Sequence, residues 1–278
     1  MKPISHSDIK VVSSIELKLD FLVQVSDEVC FQYQATSLSR DQQLQLDGLA
    51  IEAERLSESF AVCPLGFKPQ ALFFDMDATT VAEETLVTMA ALAGKEQYVR
   101  EVTERAMNGE MDFETSLRER LILLAGVESD VIEKTINMLT PNPGFSNLSS
   151  TAKSESTPIY LVSGGFTDVA ISLKNRFGFS DIHANKLEIK EGKLTGKTTG
   201  LVVSAEEKQR WMSDIVATLG ASLENTVAVG DGANDLPMLK KAGLAVGYRP
   251  KPCLLPFLDA FIGDGNHQIL SRLLWGKT

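Results

Sequence analysis

The sequence predicts an α/β protein: a doubly wound parallel sheet with an inserted helical cap and a small N-terminal α/β extension. Three observations carry that prediction. Ala71-Leu72-Phe73-Phe74 is apolar without a break and stops at Asp75 and Asp77, as a strand buried on both faces does. Four helical patterns follow it in succession, too many for a single β-α-β crossover. From Pro158 onward short apolar runs alternate with helical patterns, the order that builds a parallel sheet.

Composition narrows the function classes. A chain of 278 residues, 44% hydrophobic and 23% charged, is long enough for one large domain or two smaller ones. Its formal net charge of -10 argues against a nucleic-acid partner, because phosphate backbones are bound by clustered Lys and Arg. Cys30, Cys63 and Cys253 are far apart, as are His6, His183 and His267, so zinc, a disulfide framework and a histidine triad find no support. Met1 to Lys10 lacks an apolar core, and no later run approaches the roughly 20 apolar residues of a membrane helix. A cytoplasmic protein without a membrane partner is expected.

Residues 1–66 read as the extension. They hold an apolar segment from Ile15 to Val25, a Gln-rich stretch, and an amphipathic pattern of Leu49, Ala53, Leu56 and Phe60 that predicts a helix broken by Cys63-Pro64-Leu65-Gly66. No catalytic constellation lies in them, and a docking or structural role is expected. Residues 67–278 form the main domain, with the cap inserted at about 82–140. Within the cap, helices are predicted over Glu83 to Ala93, Glu96 to Met107, Asp112 to Leu124 and Ser129 or Asp130 to Leu139, closed by Pro141-Asn142-Pro143-Gly144.

Beyond the cap, Ile159 to Val162 is a strand and Phe166 to Phe177 a helix. Leu187 to Ile189 and Leu194 to Gly196 flank a hairpin turn, and Ser204-Ala205-Glu206-Glu207 reads as a capping box opening a helix to Leu219. Thr226 to Val229 is a strand and Leu236 to Lys241 a helix.

Three strands therefore end in polar chemistry: Asp75 and Asp77, then Ser163-Gly164-Gly165, then Gly230-Asp231-Gly232-Ala233-Asn234-Asp235. In a parallel sheet these ends share one edge, where ligands bind. Two carboxylates there can share a hard cation and a phosphate. Ser163-Gly164-Gly165 precedes a helix, where free amides favour an anion. Lys208, early in a helix, is poorly placed for the helix dipole; it is either solvated or recruited by a bound anion.

Asp75 to Thr79, then Ser163, then Lys208, then Gly230 to Asp235 resemble, in that order, the four motifs of the haloacid dehalogenase superfamily. Val162 to Phe166, Ala106 to Phe113, Gly192 to Gly196 and Val227 to Asp235 are similar to its phosphoserine phosphatase family. The resemblance implies a HAD-type, Rossmann-like core and a magnesium-dependent phosphatase that hydrolyses O-phosphoserine, the last step of serine biosynthesis. It further implies Asp75 as nucleophile, Asp77 as general acid and base, and Mg2+ held by Asp75, the Asp77 carbonyl and Asp231. Ser163, Gly164 and Lys208 would hold the phosphoryl oxygens, with Asn234 and Asp235 in support. Glu84 would meet the substrate ammonium and Arg120 its carboxylate, beside an apolar wall of Met107 and Phe113, although Glu83 is a rival acid by position. Ala78 stands where the family most often has Ser, a change expected to tune the reaction by about 1 kcal/mol. Two rivals remain: a relative using another small phosphate ester or another phosphoryl acceptor, and a weakly active phospho-ligand sensor. A homodimer is compatible with the sequence.

Overall fold

A computed structural model of the chain describes residues 8–13, 23–26, 31–107 and 111–277. The strands are β1 (Ile9–Ser13), β2 (Val23–Ser26), β3 (Phe31–Ala35), β4 (Phe60–Pro64), β5 (Ala71–Phe74), β6 (Ile159–Phe166), β7 (Asp181–Lys190), β8 (Lys193–Thr199), β9 (Thr226–Gly230), β10 (Leu244–Tyr248) and β11 (Ala260–Ile262). They form one sheet in the order β2-β3-β1-β4-β11-β10-β9-β5-β6-β7-β8. The run from β11 to β7 is parallel, and antiparallel pairs extend it at both ends.

The helices are α1 (Arg40–Arg55), α2 (Thr85–Leu92), α3 (Glu96–Met107), α4 (Phe113–Ile122), α5 (Val131–Met138), α6 (Phe145–Ser154), α7 (Thr167–Phe177), α8 (Ala205–Thr218), α9 (Leu236–Lys241) and α10 (Gln268–Trp275). Two apolar cores fill the two faces of the sheet, one around Leu72 and Phe74 and the other around Phe73 and Ala71. All four side chains of β5 are buried, as its unbroken apolar run predicts.

Strand order fixes where a ligand can sit. From β5 the chain steps one way to β6 and β7, then returns through α8 to β9 on the other side of β5. That reversal opens a crevice at the carboxyl end of β5, above Asp75.

Helices α2 to α5 lie between β5 and β6, as the four patterns predict. Asp112 caps α4, its carboxylate accepting the Thr115 N–H at 2.9 Å. The two linkers into this region run side by side. Val81 bridges Pro141, the Ala82 N–H donates to Thr140 O at 2.9 Å, and the Asn142 N–H donates to Thr80 O at 3.0 Å.

Three local readings are corrected. The helix expected around Leu49 to Phe60 begins at Arg40 and ends at Arg55, and Phe60 opens β4. Ser57, at φ 56°, turns the chain so that Phe60 pairs with both Ser13 and Phe261, and ladder pairing on two sides outweighs a helical spacing. Helix α6 goes unforeseen because its serines and threonines weaken helix propensity; buried Phe145, Leu148 and Ala152 stabilise it by packing. The capping box at Ser204 is half formed: Ser204 Oγ accepts the Glu207 N–H at 3.3 Å, while the Glu207 carboxylate turns to Arg210. Cys30 and the apolar segment before Val23 lie outside the described residues. Among the described residues no helix is long and apolar enough to cross a membrane.

Candidate active site

Asp75 extends the ladder one residue past β5, its N–H donating to Val229 O at 2.9 Å. The chain then turns tightly. The Thr80 and Val81 amides donate to Met76 O at 2.8 and 3.1 Å, and the Thr80 hydroxyl donates to Asp75 O at 2.6 Å. Ala78 sits at φ 54°, a left-handed conformation that costs a non-glycine residue about 1 kcal/mol. Such strain persists only where neighbours hold it. Asn142 Nδ2 donates to the Ala78, Thr79 and Val81 carbonyls at 3.2, 2.8 and 3.2 Å.

His267 supports the same loop from behind, with Nε2 2.9 Å from Thr79 O. A carbonyl only accepts, so Nε2 carries the proton and Nδ1 is bare. The ring is fully buried, stacked on Tyr248 at 4.5 Å and edge-on to Phe145 at 5.3 Å. Burial drags its pKa down to about 4, against the hydrogen bond to Thr79. The unfolded imidazole binds a proton near pH 6.5 and the folded one only near 4, so this contribution is complete above pH 6.5 and is lost as pH falls toward 4. The window corresponds to roughly 3 kcal/mol. We therefore expect the stability difference between the wild type and His267→Gln, followed by chemical denaturation, to change by about that amount between pH 6.5 and 4. A pH-independent difference would assign His267 to packing alone.

The charged centre is built on Lys208. Its Nζ, 1% exposed, donates to Asp75 Oδ1 at 2.6 Å and to Asp235 Oδ1 at 2.8 Å. Burial opposes its charge, but the two carboxylates outweigh burial and raise its pKa. Asp235 Oδ2 accepts the Asp231 and Gly232 amides at 3.1 and 3.2 Å, which fixes the loop after β9. A Cβ at residue 230 would collide with the Asp235 side chain, so this loop requires glycine there.

One carboxylate oxygen from each of Asp75, Asp231 and Asp235 lies within 4.8 Å of the others. Because both Asp235 oxygens are engaged, Asp75 and Asp231 are the carboxylates able to hold a cation. Burial pushes Asp75 up to about 7 despite Lys208, and pushes Asp231 up to about 8 with help from Asp235 and Asp75. Burial, Glu84 and Asp75 hold Asp77 well above the usual carboxylate range. An all-oxygen donor set with this excess of negative charge fits a hard divalent cation.

Asp77 is held on one side only. Its Oδ2 accepts the Thr85 hydroxyl at 2.9 Å, while Oδ1 is buried with no hydrogen-bond partner. Ser163 lies within β6, which runs on through Gly164 and Gly165 to Phe166; it is 1% exposed, and its Oγ accepts the Gly165 N–H at 2.8 Å. That leaves the hydroxyl proton free to donate. A Cβ on Gly164 would lie 2.7 Å from Phe113 Cζ, so the bare backbone lets α4 close onto this loop. Asn185 Nδ2 donates to Gly164 O at 2.8 Å and its Oδ1 accepts the Val203 N–H at 2.9 Å, tying the loop to the segment before α8.

These groups line a cavity of about 650 Å³ that holds Asp75, Asp77, Ser163, Gly164, Asp231 and Asn234 on one side and Glu84, Phe113 and Arg120 on the other. Glu84 is the residue preceding α2 and makes no capping bond, so its carboxylate faces the cavity. Glu83 instead accepts the Thr140 N–H at 2.9 Å and pins the two linkers together. The fold thus separates the two rival acids. Arg120 Nε donates to Ser116 O at 3.2 Å, and burial lowers its pKa against the opposing charges of Glu84 and Asp77.

Among the expected wall residues, Phe113 lines the cavity, whereas the Met107 side chain lies outside the described residues. Leu86, Thr103 and Met111 also line it, and Thr85, Asn142, Asn185 and His267 support it. None of these was found in the sequence, where they carry no signal beyond ordinary helix, strand and turn residues.

A model of haloacid dehalogenase-like hydrolases matches residues 72–240. A phosphoserine phosphatase of Streptomyces coelicolor is 40% identical over 226 residues, covering 77% of this chain and 55% of that protein. One from Methanocaldococcus jannaschii is 40% identical over 196 residues, covering 70% of this chain and 92% of that protein. A solved phosphoserine phosphatase, in the form of a phospho-aspartyl intermediate analogue, superposes with a TM-score of 0.70 at 38% identity, over 74% of this chain and 99% of that one.

Proposed function

The chain belongs to the haloacid dehalogenase-like hydrolases, in the family of phosphoserine phosphatases, and on that premise we propose that it hydrolyses O-phosphoserine to serine and phosphate, the last step of serine biosynthesis. The observation that carries this reading is a phosphate-sized nucleophilic centre of Asp75, Ser163 and Asp231, which shares one cavity with the opposite charges of Glu84 and Arg120, while the buried Lys208 pairs with Asp75 from behind. A phosphate monoester needs only the first set. A zwitterionic amino acid attached to it needs the second as well.

In this reading Asp75 and Asp231, with the Asp77 carbonyl, hold Mg2+, and their oxygen-only chemistry and unbalanced negative charge fit it. When bound, the ion neutralises phosphoryl charge and orients the ester. The remaining work falls to the chain itself. Lys208, the Ser163 hydroxyl and the Gly164 amide hold non-bridging oxygens, with Asn234 at the rim. Asp75 attacks phosphorus and forms an aspartyl phosphate, while the serine oxygen leaves. Asp77, whose protonated form is favoured by burial and by Glu84 and Asp75, gives its proton to that oxygen; the carboxylate so formed then takes a proton from the attacking water. Thr85 holds Asp77 Oδ2, so the unpartnered Oδ1 is the oxygen that carries the proton. Phosphate and serine are released.

Glu84 meets the substrate ammonium and Arg120 its carboxylate, and Phe113 covers them. We read residues 67–278 as the catalytic domain, 82–140 as its cap and 1–66 as an extension that supports it, in a cytoplasmic enzyme able to form homodimers.

The test compares O-phosphoserine with a carboxylate-free phosphate ester, with magnesium, by released inorganic phosphate. Arg120→Ala is expected to lower kcat/KM for phosphoserine by about ten-fold to a hundred-fold more than for the simple ester, the value of a charge-assisted hydrogen bond. Lys at this position should rescue poorly, because an ammonium cannot reproduce the planar fork. Equal losses on the two esters would remove the amino-acid part of the reading.

A further inference from the structure

Ser116 presents a buried polar atom with nothing to bond. It lies on α4, one turn before Arg120, on the face that lines the cavity between Phe113 and Arg120. The residue is 2% exposed, and its Oγ has no hydrogen-bond partner. A buried helical serine commonly returns its hydroxyl to the carbonyl four residues back, as Thr135 does to Val131 at 2.8 Å. Ser116 does not; only its backbone N–H reaches Asp112 O, at 3.0 Å. Buried hydroxyls are almost always satisfied, and one left open toward a cavity is a donor waiting for a ligand atom.

The neighbouring cation indicates which atom. The Ser116 carbonyl accepts Arg120 Nε at 3.2 Å, so one residue both anchors the guanidinium and places a free hydroxyl beside it. The field of Arg120 disfavours an ammonium at that spot and favours an anionic acceptor.

We propose that Ser116 is a specificity-determining residue whose hydroxyl donates to the substrate carboxylate alongside Arg120, so that the carboxylate is read by a guanidinium and a hydroxyl together. This rests on the reading of Glu84 and Arg120 as the amino-acid side of the cavity.

The experiment measures kcat and KM of Ser116→Ala and Arg120→Ala on three esters: O-phosphoserine, O-phosphoethanolamine, which keeps the ammonium and lacks the carboxylate, and p-nitrophenyl phosphate, which lacks both. Ser116→Ala is expected to raise KM for phosphoserine by roughly ten-fold, the effect of one hydrogen bond to a charged group, with kcat within about two-fold. The other two esters should respond to neither substitution selectively. Thermal unfolding without ligand should show no loss of stability in Ser116→Ala, since the free protein loses no hydrogen bond. A serine of structural importance only would lower the melting temperature and leave KM alone, and that result overturns the proposal. So does an equal rise of KM on phosphoethanolamine, which would place the hydroxyl at the ammonium. If Arg120→Ala discriminates among the esters and Ser116→Ala does not, the proposal fails while the amino-acid reading stands. If Arg120→Ala fails to discriminate, both fall.

Discussion

Asp75→Asn should abolish turnover, by four orders of magnitude or more, in a protein that still folds. The amide cannot attack phosphorus as a carboxylate does, and it is a poorer ligand for a hard cation, so nucleophile and part of the metal site go together. Loss of a group that acts as part of such a unit commonly costs on the order of 10⁴-fold or more. The fold should survive for a local reason. Burial already penalises the Asp75 charge, and Lys208 keeps its second partner, Asp235 Oδ1, at 2.8 Å. Released phosphate from O-phosphoserine with magnesium gives the rate, and a melting curve reports the fold. Substantial magnesium-dependent turnover by a clean preparation would overturn the assignment of Asp75. A lost rate with a lost fold would be resolved by Asp75→Glu, which keeps the charge and displaces the reacting oxygen, and which should also be inactive.

The second large effect is expected from Lys208→Met. Lys208 is a buried cation between two buried carboxylates, at 2.6 and 2.8 Å, so its removal leaves Asp75 and Asp235 facing each other with no counter-charge. Breaking a buried pair from one side typically costs about 3–5 kcal/mol. Activity should fall at least a thousand-fold, because in the proposed mechanism the same ammonium holds a phosphoryl oxygen and favours the ionised form of Asp75 against burial. The pH dependence follows from the sign of the carboxylate shift. Asp75 has its folded pKa raised to about 7 even with Lys208 present, so without the lysine the folded state binds protons that the unfolded state releases. The stability deficit should therefore be level between about pH 4 and 7, where Asp75 is protonated in both folded proteins, and grow as pH rises above about 7, where the carboxylate ionises in the wild type but not in the variant. Denaturation of the variant and the wild type in a chelator across that range tests this, and a deficit that does not vary with pH would contradict it.

The candidate reacting groups, which the fold brings to one edge of the sheet, were legible in the sequence because each sits next to a strong local signal. An unbroken apolar run ends at Asp75, glycines follow Ser163, and Gly230 to Asp235 closes another buried strand. Lys208 was flagged by being wrong for its place, a cation in the first turn of a helix, and the structure supplies the reason in Asp75 and Asp235. The same local logic misled at Phe60, where a helical spacing happened to fall on a residue that two neighbouring strands claim.

By itself the sequence determined the chemical inventory and its order: which carboxylates, which lysine, which glycine loops, and the sheet that gathers strand ends on one edge. Tertiary structure alone decided that Glu84 faces the cavity while Glu83 pins the linkers, and that Asn142 and His267 hold the Thr79 carbonyl from 63 and 188 residues away. It alone left the Ser116 hydroxyl and Asp77 Oδ1 without partners. The reason is physical. Period and composition report whether a residue is buried and which way its backbone runs, and these are properties of short segments. A hydrogen bond between distant segments depends on ångström-scale closure of the whole chain, and no local pattern encodes which buried polar atom will find a partner and which will be left to a ligand.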